Sequence, residues 1–305
     1  MGKKTTPLKQ RIESGKPLLL AEISPPQGGD PIPLRETARR YSGKVHCLGV
    51  SDNRDRVSMS ALAAAAIVAA EGVEPILHVI ARDRNRIALV SEALGAQALG
   101  IGNLLCTSGT HQVLGPFRAA RNVFDIDTVQ LLKTYSNLAG DGSLVGEKGF
   151  PGTGPFCLGG VAAPYADPME MQVSKLVKKN LAGATFFITQ PIYDLERFNQ
   201  WWQEITRRGL DEKAAIVAGI QPLINAQKAQ EFAAKRPSPR VPDAILARLS
   251  SASGAAAQRA AGIAVALETI KRLSEVKGLR GFQIYADDDV EAVLEVIEKS
   301  ALGAN

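Results

Sequence analysis

The stretch TFFITQPIYDLERFNQWWQEITRRGLDEKAAIVAGIQPL, residues 185–223, decides the fold. Residues 185–193 are rich in β-branched and aromatic side chains, which favour a buried strand. Residues 195–209 have apolar positions at helical spacing and predict an amphipathic helix. Residues 214–223 form a second apolar run of strand length. A strand, a helix and another strand in this order predict a βαβ unit, in which the two strands lie parallel.

The same alternation continues in both directions along the chain. Six more runs predict strands, at 17–26, 44–53, 74–81, 101–109, 156–163 and 280–286. The other predicted helices lie at 58–71, 84–95, 128–138, 169–181, 225–236, 242–250, 255–277 and 288–302. Buried parallel strands are nearly continuous apolar runs, and eight of them with right-handed crossovers close into a barrel. We therefore predict an α/β protein with a single (β/α)8 TIM barrel; a doubly wound open sheet is the alternative.

The barrel is expected to occupy one domain, residues 1–305, because no linker divides the chain. An extended loop is predicted after strand 4, at about 110–155, and its tail GDGSLVGEKGFPGTGP (140–155) is rich in glycine. Extra helices are predicted before strand 8, at about 242–277.

The composition excludes several classes of protein. Of the 305 residues, 45% are hydrophobic and 22% charged, which is ordinary for a globular protein. The net charge of +5 comes from scattered basic residues without interleaved aromatics, so we expect no nucleic-acid partner. The three cysteines, Cys47, Cys106 and Cys157, form no CxxC pair, which argues against disulfides and against a Cys-rich metal site. No apolar run is long enough to span a bilayer, so we expect no membrane contact and a cytoplasmic protein.

Polar side chains collect where the predicted strands end. In barrel enzymes the active site lies at the carboxyl ends of the strands, so these residues are the candidates for chemistry. They are Glu22; Ser51, Asp52 and Asn53; His78, Arg82, Asp83 and Arg84; Thr107, Ser108, Gly109, Thr110 and His111; Tyr165 and Asp167; Thr189, Gln190 and Tyr193; Gln221; Tyr285 and Asp287.

Purely structural roles are open for the same residues. Glu22 can be a carboxylate of the barrel interior that is paired with a basic residue, since an unpaired one is costly to bury. His78 can be a core histidine, and Gln190 can be a buried amide with structural partners. A turn is sufficient to explain residues 108–110, although exposed amides and hydroxyls there suit phosphate.

Dinucleotide-binding and hydrolase motifs do not occur. Gly100 and Gly102 are followed by Leu105 where a dinucleotide fingerprint needs its third glycine, and there is no Walker loop, HExxH or GxSxG. A hydride-transfer enzyme with this sequence would therefore hold its cofactor in the barrel and not in a Rossmann domain.

Segments along nearly the whole chain resemble, in the same order, those of the methylenetetrahydrofolate reductase family. They are AEISPP (21–26) in the first strand, HVIARDRNR (78–86) in the third, GIGNLLCTSGTHQ (100–112) in the fourth, GGVAAPYADP (159–168) in the fifth, KKNLAGATFFITQPIYD (178–194) in the sixth and GIQPL (219–223) in the seventh. Other segments, such as VFDIDTVQLL (123–132), are most similar to the branch found in acetogens and other one-carbon-metabolising anaerobes.

The resemblance implies a flavin, FAD or FMN, at the barrel mouth. Reduced flavin would pass a hydride from its N5 to the methylene carbon of methylenetetrahydrofolate. Glu22 matches the family's general acid, which must be protonated near neutrality, as burial favours. Substrate contacts are implied for Gln190, Thr110 and Gln221. Flavin contacts are implied for His78, Ser108, Gly109, Tyr165 and Lys179, of which Lys179 can offer charge to the cofactor phosphate. A homo-oligomer and a role in methionine biosynthesis are also implied.

Two positions depart from the family's pattern. Thr110 stands where an aspartate is usual, which removes an anion that would stabilise a cationic folate and disfavour negatively charged reduced flavin. Ala226 stands where some members have a phenylalanine that stacks on substrate or nicotinamide. Electrons are therefore expected from a partner protein or from weakly bound NAD(P)H.

Two other functions stay open. One is a flavin- or folate-binding subunit of a methyl-transfer complex, which the missing aspartate favours. The other is a pterin-dependent methyltransferase barrel, which binds a similar substrate without flavin.

Overall fold

The computed structural model describes residues 5–54, 56–115, 117–144, 153–235, 241–286 and 289–303. Its eight strands form a closed barrel in sequential order, in which each strand pairs in parallel with the next and the first pairs with the eighth. The predicted TIM barrel is confirmed, and the open-sheet alternative is wrong. Asp287 and residues 145–152 of the glycine-rich tail lie outside the described residues.

All eight predicted strands are present, each somewhat shorter than its apolar run. They are β1 (Leu18–Ile23), β2 (Cys47–Val50), β3 (Pro75–Ile80), β4 (Asn103–Thr107), β5 (Cys157–Ala162), β6 (Phe186–Pro191), β7 (Ala215–Ile220) and β8 (Gly281–Tyr285). β1 ends before Pro25 and Pro26, which have no N–H to donate to a neighbouring strand.

Twelve α-helices lie in the described part of the chain. They are α1 (Pro7–Glu13), α2 (Ile32–Tyr41), α3 (Ala61–Ala70), α4 (Arg86–Ala98), α5 (Thr128–Ala139), α6 (Met169–Leu181), α7 (Leu195–Arg207), α8 (Leu210–Lys213), α9 (Ala226–Lys235), α10 (Asp243–Ser251), α11 (Ala255–Leu273) and α12 (Val290–Lys299). The extra helices before strand 8 are α10 and α11. In the described ranges, no helix combines the length and the hydropathy that crossing a membrane requires.

Successive residues of each strand face opposite sides of the barrel wall. Leu18 and Leu20 of β1 belong to an inner core with Ile76, Leu105 and Phe186, whereas the intervening side chains pack outward under the helices. The inner core fills the barrel, so the polar residues that follow it on the same strand faces form the mouth at the carboxyl ends.

The opposite end of the barrel is closed by α1, which the sequence did not predict. Leu8 is 1% exposed and joins the inner core, while its backbone N–H donates to the Glu74 carboxylate. Glu74 also accepts from Asn103 Nδ2 at 2.8 Å. Since α1 closes this end, the carboxyl ends of the strands form the open end of the barrel, where barrel enzymes have their active sites.

Candidate active site

The mouth carries polar residues on the inner faces of several strands. Glu22 continues the inward series of Leu18 and Leu20, and His78 continues that of Ile76. By the same alternation Gln221 just after β7 and Tyr285 of β8 share this face, and Tyr285 is also the pairing neighbour of Glu22. Gln190 lies at the end of β6, where the strand changes register between Ile188 and Pro191 and alternation does not fix the side-chain direction. Of the sequence-predicted residues, Glu22, His78 and Gln221 therefore belong to one opening, and Gln190 lies at the carboxyl end of β6 beside it.

Glu22 is the most buried carboxylate of this opening, with its side chain 7% exposed. Its Oε1 accepts from the Arg54 guanidinium. Its Oε2 lies 4.0 Å from His78 Nδ1, which is too long for a hydrogen bond. Glu22 therefore has the basic partner that a purely structural carboxylate would need. A catalytic role for Glu22 has to be compatible with this ion pair.

His78 is a neutral imidazole in this setting. Burial lowers its pKa below the ordinary value, which outweighs the opposing effect of the Glu22 carboxylate, and Arg54 lowers it further. Its Nε2 is buried without a hydrogen-bond partner among the described residues. The ring leans over β2, where a Cβ on Gly49 would lie 2.9 Å from Nε2. A glycine at position 49 is thus required for this placement of the ring.

The turn after β4 is held from behind by Arg82. This side chain is 1% exposed, and its backbone N–H donates to Ser108 O at 3.0 Å while its Nη1 donates to Thr110 O at 3.1 Å. Gly109 has a φ of +80°, and a Cβ there would lie 2.5 Å from an Ile80 methyl group. The turn therefore has one backbone shape, with the Thr110 side chain exposed at its rim.

Arg82 also ties this turn to the loop after β2. Its Nη2 donates to Asn53 O at 3.0 Å, and Asp83 accepts a forked pair from its Nε and Nη2 at 2.7 and 2.8 Å. Next to it, buried Asp52 accepts from Arg84 Nη1 at 2.6 Å and from the Ile80 N–H at 3.1 Å. These ion pairs lie outside the barrel wall and fix the loops that surround the mouth.

Two predicted flavin contacts have their hydroxyls engaged elsewhere. Ser108 Oγ lies 2.7 Å from Thr128 Oγ1 at the start of α5. The Tyr165 hydroxyl donates to Asp194 O at 3.0 Å and accepts from the Tyr193 N–H at 3.3 Å. The Ser108 hydroxyl thus joins the turn after β4 to the start of α5, the helix that follows the same strand, whereas the Tyr165 hydroxyl joins the loop after β5 to the loop after β6. Neither hydroxyl is directed to the mouth by these bonds.

Gln221 lines a cleft beside the mouth, between the ends of β7 and β8. The cleft is also lined by Asn225, Lys228, Phe232 and Asp289. The Tyr193 hydroxyl donates to Gln221 O at 3.2 Å, which fixes the backbone and leaves the amide group of Gln221 to the cleft. Phe232 packs edge-on against Tyr193, with ring centroids 6.1 Å apart.

Lys179 is a half-buried cation on α6. Its Nζ donates to Val161 O at 2.9 Å, near the carboxyl end of β5. No carboxylate of the described residues lies within ion-pair distance of it. Burial lowers the pKa of Lys179 to about 8, an effect that the nearby Cys106 thiol opposes. The ammonium therefore reduces stability unless an anion accompanies it.

Lys179→Met is expected to stabilise the cofactor-free chain by about 2 to 3 kcal/mol at pH 7, since one pKa unit is about 1.4 kcal/mol. The sign follows from the lowered pKa. Below about pH 8 both states bind the proton and the full cost is present. Between about 8 and the unfolded value of 10.5 the unfolded chain binds more protons, so stability rises with pH. The gain from the substitution should therefore vanish near pH 10.5.

Urea unfolding at both pH values measures this effect. Lys178→Met is the matched control, because Lys178 is the exposed neighbour on the same helix. If the wild-type chain and Lys179→Met are equally stable at neutral pH, the charged form of Lys179 costs no measurable stability in the folded chain, which would contradict the prediction.

The residues around the mouth have several features that fit a flavin. A neutral imidazole with a buried unpartnered nitrogen, His78, suits the uncharged ring system, and Lys179 offers charge without a counter-ion in the described chain. The rigid turn at Gly109 and Thr110 exposes backbone and hydroxyl groups. His78, Lys179 and the turn therefore fit a flavin. The hydroxyls of Ser108 and Tyr165 contribute little to this fit, because they already bond to other protein groups.

Sequence reasoning missed Arg54, and it gave no structural role to Arg82, which it did place among the polar residues at the strand ends. Arg54 joins the loop after β2 to Glu22 on β1, and Arg82 joins the loops after β2 and β4, so these contacts depend on the pairing of neighbouring strands. The one available signal was the cluster of arginines and aspartates that follows β2 and β3. In the described residues, no group of three histidine, cysteine or acidic side chains could hold a metal ion, and the three cysteines are free and buried.

Comparison with known families gives a match over most of the chain. The model of the family described as methylenetetrahydrofolate reductase matches residues 7–301. A Caenorhabditis elegans protein described as a probable methylenetetrahydrofolate reductase (NADPH) is 23% identical over 181 residues, 59% of this chain and 25% of its own. Methylenetetrahydrofolate reductase 2 of Saccharomyces cerevisiae is 27% identical over 158 residues, 50% of this chain and 24% of its own. These matches span about a quarter of the length of the curated relatives.

Solved structures share the fold at low identity. A Clostridium thermocellum protein described as binding two copies of 5-methyl-5,6,7,8-tetrahydrofolic acid has a TM-score of 0.71 and 14% identity, covering 97% of this chain and 99% of that one. An F420-dependent secondary alcohol dehydrogenase has a TM-score of 0.57 and 14% identity, covering 93% and 98%. Such likeness supports the barrel fold.

Proposed function

Since the chain belongs to the methylenetetrahydrofolate reductase family, we propose that it is a flavin-dependent oxidoreductase that interconverts 5,10-methylenetetrahydrofolate and 5-methyltetrahydrofolate. The observation that carries the proposal is the buried carboxylate of Glu22 at the barrel mouth, close to the neutral ring of His78. The structural neighbour that binds 5-methyltetrahydrofolate supports the substrate class.

In this proposal the residues of the mouth bind, orient and protonate the substrate. The flavin, when bound, supplies the hydride donor. Glu22 carries a proton next to the folate nitrogen N10 and delivers it to N10 as the bond between N10 and the methylene carbon breaks, because the open iminium that remains on N5 is the better hydride acceptor. Gln190 and Gln221 hydrogen-bond the pterin and fix its face. His78 stays neutral and so adds no second charge beside the carboxylate.

Lys179 would hold the cofactor phosphate. A half-buried ammonium without a counter-ion in the described chain gains a charge-assisted bond when a phosphate binds, which is worth roughly 1.5 to 3 kcal/mol. The same Lys179→Met variant that stabilises the cofactor-free chain should therefore bind flavin at least about tenfold more weakly.

The visible spectrum of the purified chain tests flavin dependence. We expect a flavin band at about 450 nm, and mass spectrometry of the released cofactor distinguishes FAD from FMN. A chain that binds 5-methyltetrahydrofolate but takes up neither flavin would instead support the pterin-dependent methyltransferase barrel.

The identity of the electron donor is inferred from Ala226, the first residue of α9. Ala226 is 9% exposed, and its methyl group cannot stack on a nicotinamide as an aromatic ring does. We propose that electrons come from a partner protein, with NAD(P)H as a weak substitute. Rapid steady-state NADH oxidation by the isolated chain would contradict this. A homo-oligomer, a cytoplasmic location, a single domain over residues 1–305 and a role in methionine biosynthesis stay predictions.

Thr110→Asp is expected to lower the flavin midpoint potential, by on the order of 30 mV or about 1.4 kcal/mol for a two-electron couple. A carboxylate at the rim of the mouth would disfavour negatively charged reduced flavin. Potentiometric titration of the flavin measures the shift. Thr206→Asp is the matched control, because it makes the same charge change at an exposed position of α7. Equal potentials for Thr110→Asp and the wild-type chain would contradict a role for residue 110 in tuning the flavin.

A further inference from the structure

The loop that follows β4 carries a cluster of exposed apolar side chains. We call residues 111–115 and 117–124 the rim loop, because they begin directly after Thr110 at the rim of the mouth. Single exposed apolar residues are normal, but a cluster of them is typical of a surface that binds a partner. Eleven large hydrophobic side chains of the described chain are exposed, and five of them lie in the rim loop: Val113, Leu114, Phe117, Val123 and Phe124.

The rim loop folds back on itself, so its two arms lie side by side. The Gln112 N–H donates to Asn122 Oδ1 at 2.9 Å, and the ring centroids of His111 and Phe124 are 6.4 Å apart. Between the two arms, the Ala120 N–H donates to Phe117 O at 3.1 Å. The backbone of the rim loop is therefore held in place while its apolar side chains stay exposed to solvent.

The rim loop is joined to the mouth through Arg82. The Val123 N–H donates to Arg82 O at 2.8 Å, and Arg82 Nη1 donates to Thr110 O at 3.1 Å. The end of the rim loop is fixed by the next residue, Asp125, which accepts from the Arg86 N–H at 2.9 Å. A protein that docks on the rim loop therefore lies beside the opening in which the flavin is proposed to bind.

The charge of the rim loop indicates the kind of partner. Residues 111–124 contain two arginines, Arg118 and Arg121, and no acidic residue. Both arginines are exposed, and neither forms an ion pair with a carboxylate of the described residues. A symmetric contact with a second copy of the chain would bring these cations close to their own counterparts. An acidic protein would instead pair with them.

We propose that the rim loop is the docking surface for the electron donor of this chain, a small acidic protein that carries a redox centre. The apolar side chains form the centre of the contact, and Arg118 and Arg121 steer the acidic partner onto it. Two electrons pass from the reduced partner to the flavin, which takes up one proton from solvent, and the partner is left oxidised. This inference rests on the proposed function, because it names the partner of that same site.

Stopped-flow reduction of the flavin-loaded chain tests the charged part of the surface. The probe is a reduced [4Fe–4S] ferredoxin, a small acidic iron–sulfur protein. Arg118→Glu together with Arg121→Glu is expected to lower the second-order rate constant at least about tenfold at low salt and to remove most of its dependence on ionic strength. Lys16→Glu together with Lys44→Glu makes the same charge change at two exposed positions before β1 and β2, at the end that α1 closes. If the rim-loop variant reacts as fast as this control, the proposal is overturned.

Leu114→Ser together with Phe117→Ser tests the apolar part of the surface. Half-saturation should need at least about tenfold more ferredoxin, because two apolar side chains no longer leave water on docking. Leu181→Ser is the control, because Leu114 and Leu181 are both 79% exposed and Leu181 lies at the end of α6. Loss of flavin from the rim-loop variant would show that the loop covers the cofactor, and a smaller particle in light scattering would show that it covers a second copy. Either result overturns the proposal.

Failure of the docking surface and failure of the proposed function give different results. If ferredoxin does not reduce the flavin of the wild-type chain, although methylenetetrahydrofolate reoxidises flavin that dithionite has reduced, the docking surface is wrong and the proposed function stands. If ferredoxin reduces the flavin with the expected dependence on the rim loop but methylenetetrahydrofolate never reoxidises it, the proposed function fails and the docking surface stands.

Discussion

Replacing Glu22 by glutamine is expected to slow the reduction of methylenetetrahydrofolate by about 10²- to 10⁴-fold, the usual contribution of a positioned general acid. Glutamine keeps the size and the hydrogen-bonding oxygen of the side chain but has no acidic proton to deliver. Flavin content and pterin affinity should change little, so the loss should fall on the rate of hydride transfer. Single-turnover kinetics of the reduced flavin measure that rate directly.

Glu74→Gln is the matched control for Glu22→Gln. Glu74 is also a partly buried carboxylate, but it binds Leu8 and Asn103 at the end of the barrel that α1 closes. The same substitution there should leave hydride transfer close to the wild-type rate. If Glu22→Gln transfers hydride as fast as Glu74→Gln does, Glu22 is a structural partner of Arg54 and some other group supplies the proton.

Arg82→Met is expected to destabilise the chain by about 1 to 3 kcal/mol, the usual cost of leaving hydrogen-bonding groups without their partner. Methionine fills most of the volume but donates no hydrogen bond, so Asp83 and the carbonyls of Asn53 and Thr110 lose their donors. Urea unfolding gives the difference. Flavin binding should weaken as well, because Arg82 holds the turn that carries Thr110.

Arg86→Met provides a matched comparison four residues along the chain. Arg86 forms the same kind of forked pair, with Asp125 at 3.0 Å for both bonds, but its side chain is 54% exposed. Exposed pairs contribute about 0 to 1 kcal/mol, so this variant should lose little stability. Similar losses in the two variants would mean that the Arg82 network is hydrated and does not fix the mouth.

The eight strands could be predicted from sequence because parallel strands of a barrel are buried on both faces and read as unbroken apolar runs. The segment 185–223 contains such a strand on each side of a helix with a strong apolar stripe, and both strands are present. α1 was missed, because a seven-residue helix that begins at a proline and has few apolar side chains gives no clear periodicity.

The candidate site was predictable in part for the same reason. Residues at the ends of β1, β3 and β6 must meet once the sheet closes, so Glu22, His78 and Gln190 could be grouped from sequence. The partners of these residues could not be found in that way. Arg54 reaches Glu22 from a loop that has no fixed spacing relative to β1, and the hydroxyl of Tyr165 is used between two loops. Such contacts depend on side-chain directions that periodicity does not determine.

The most direct test of the proposed function is anaerobic stopped-flow mixing of the chain, its flavin reduced beforehand, with methylenetetrahydrofolate. The account predicts that the flavin is reoxidised in one exponential phase, with one equivalent of 5-methyltetrahydrofolate formed, and that Glu22→Gln slows this phase by about 10²-fold or more. A reduced flavin that stays reduced in the presence of bound substrate would contradict it, and would leave a flavin- and folate-binding subunit as the function of this chain.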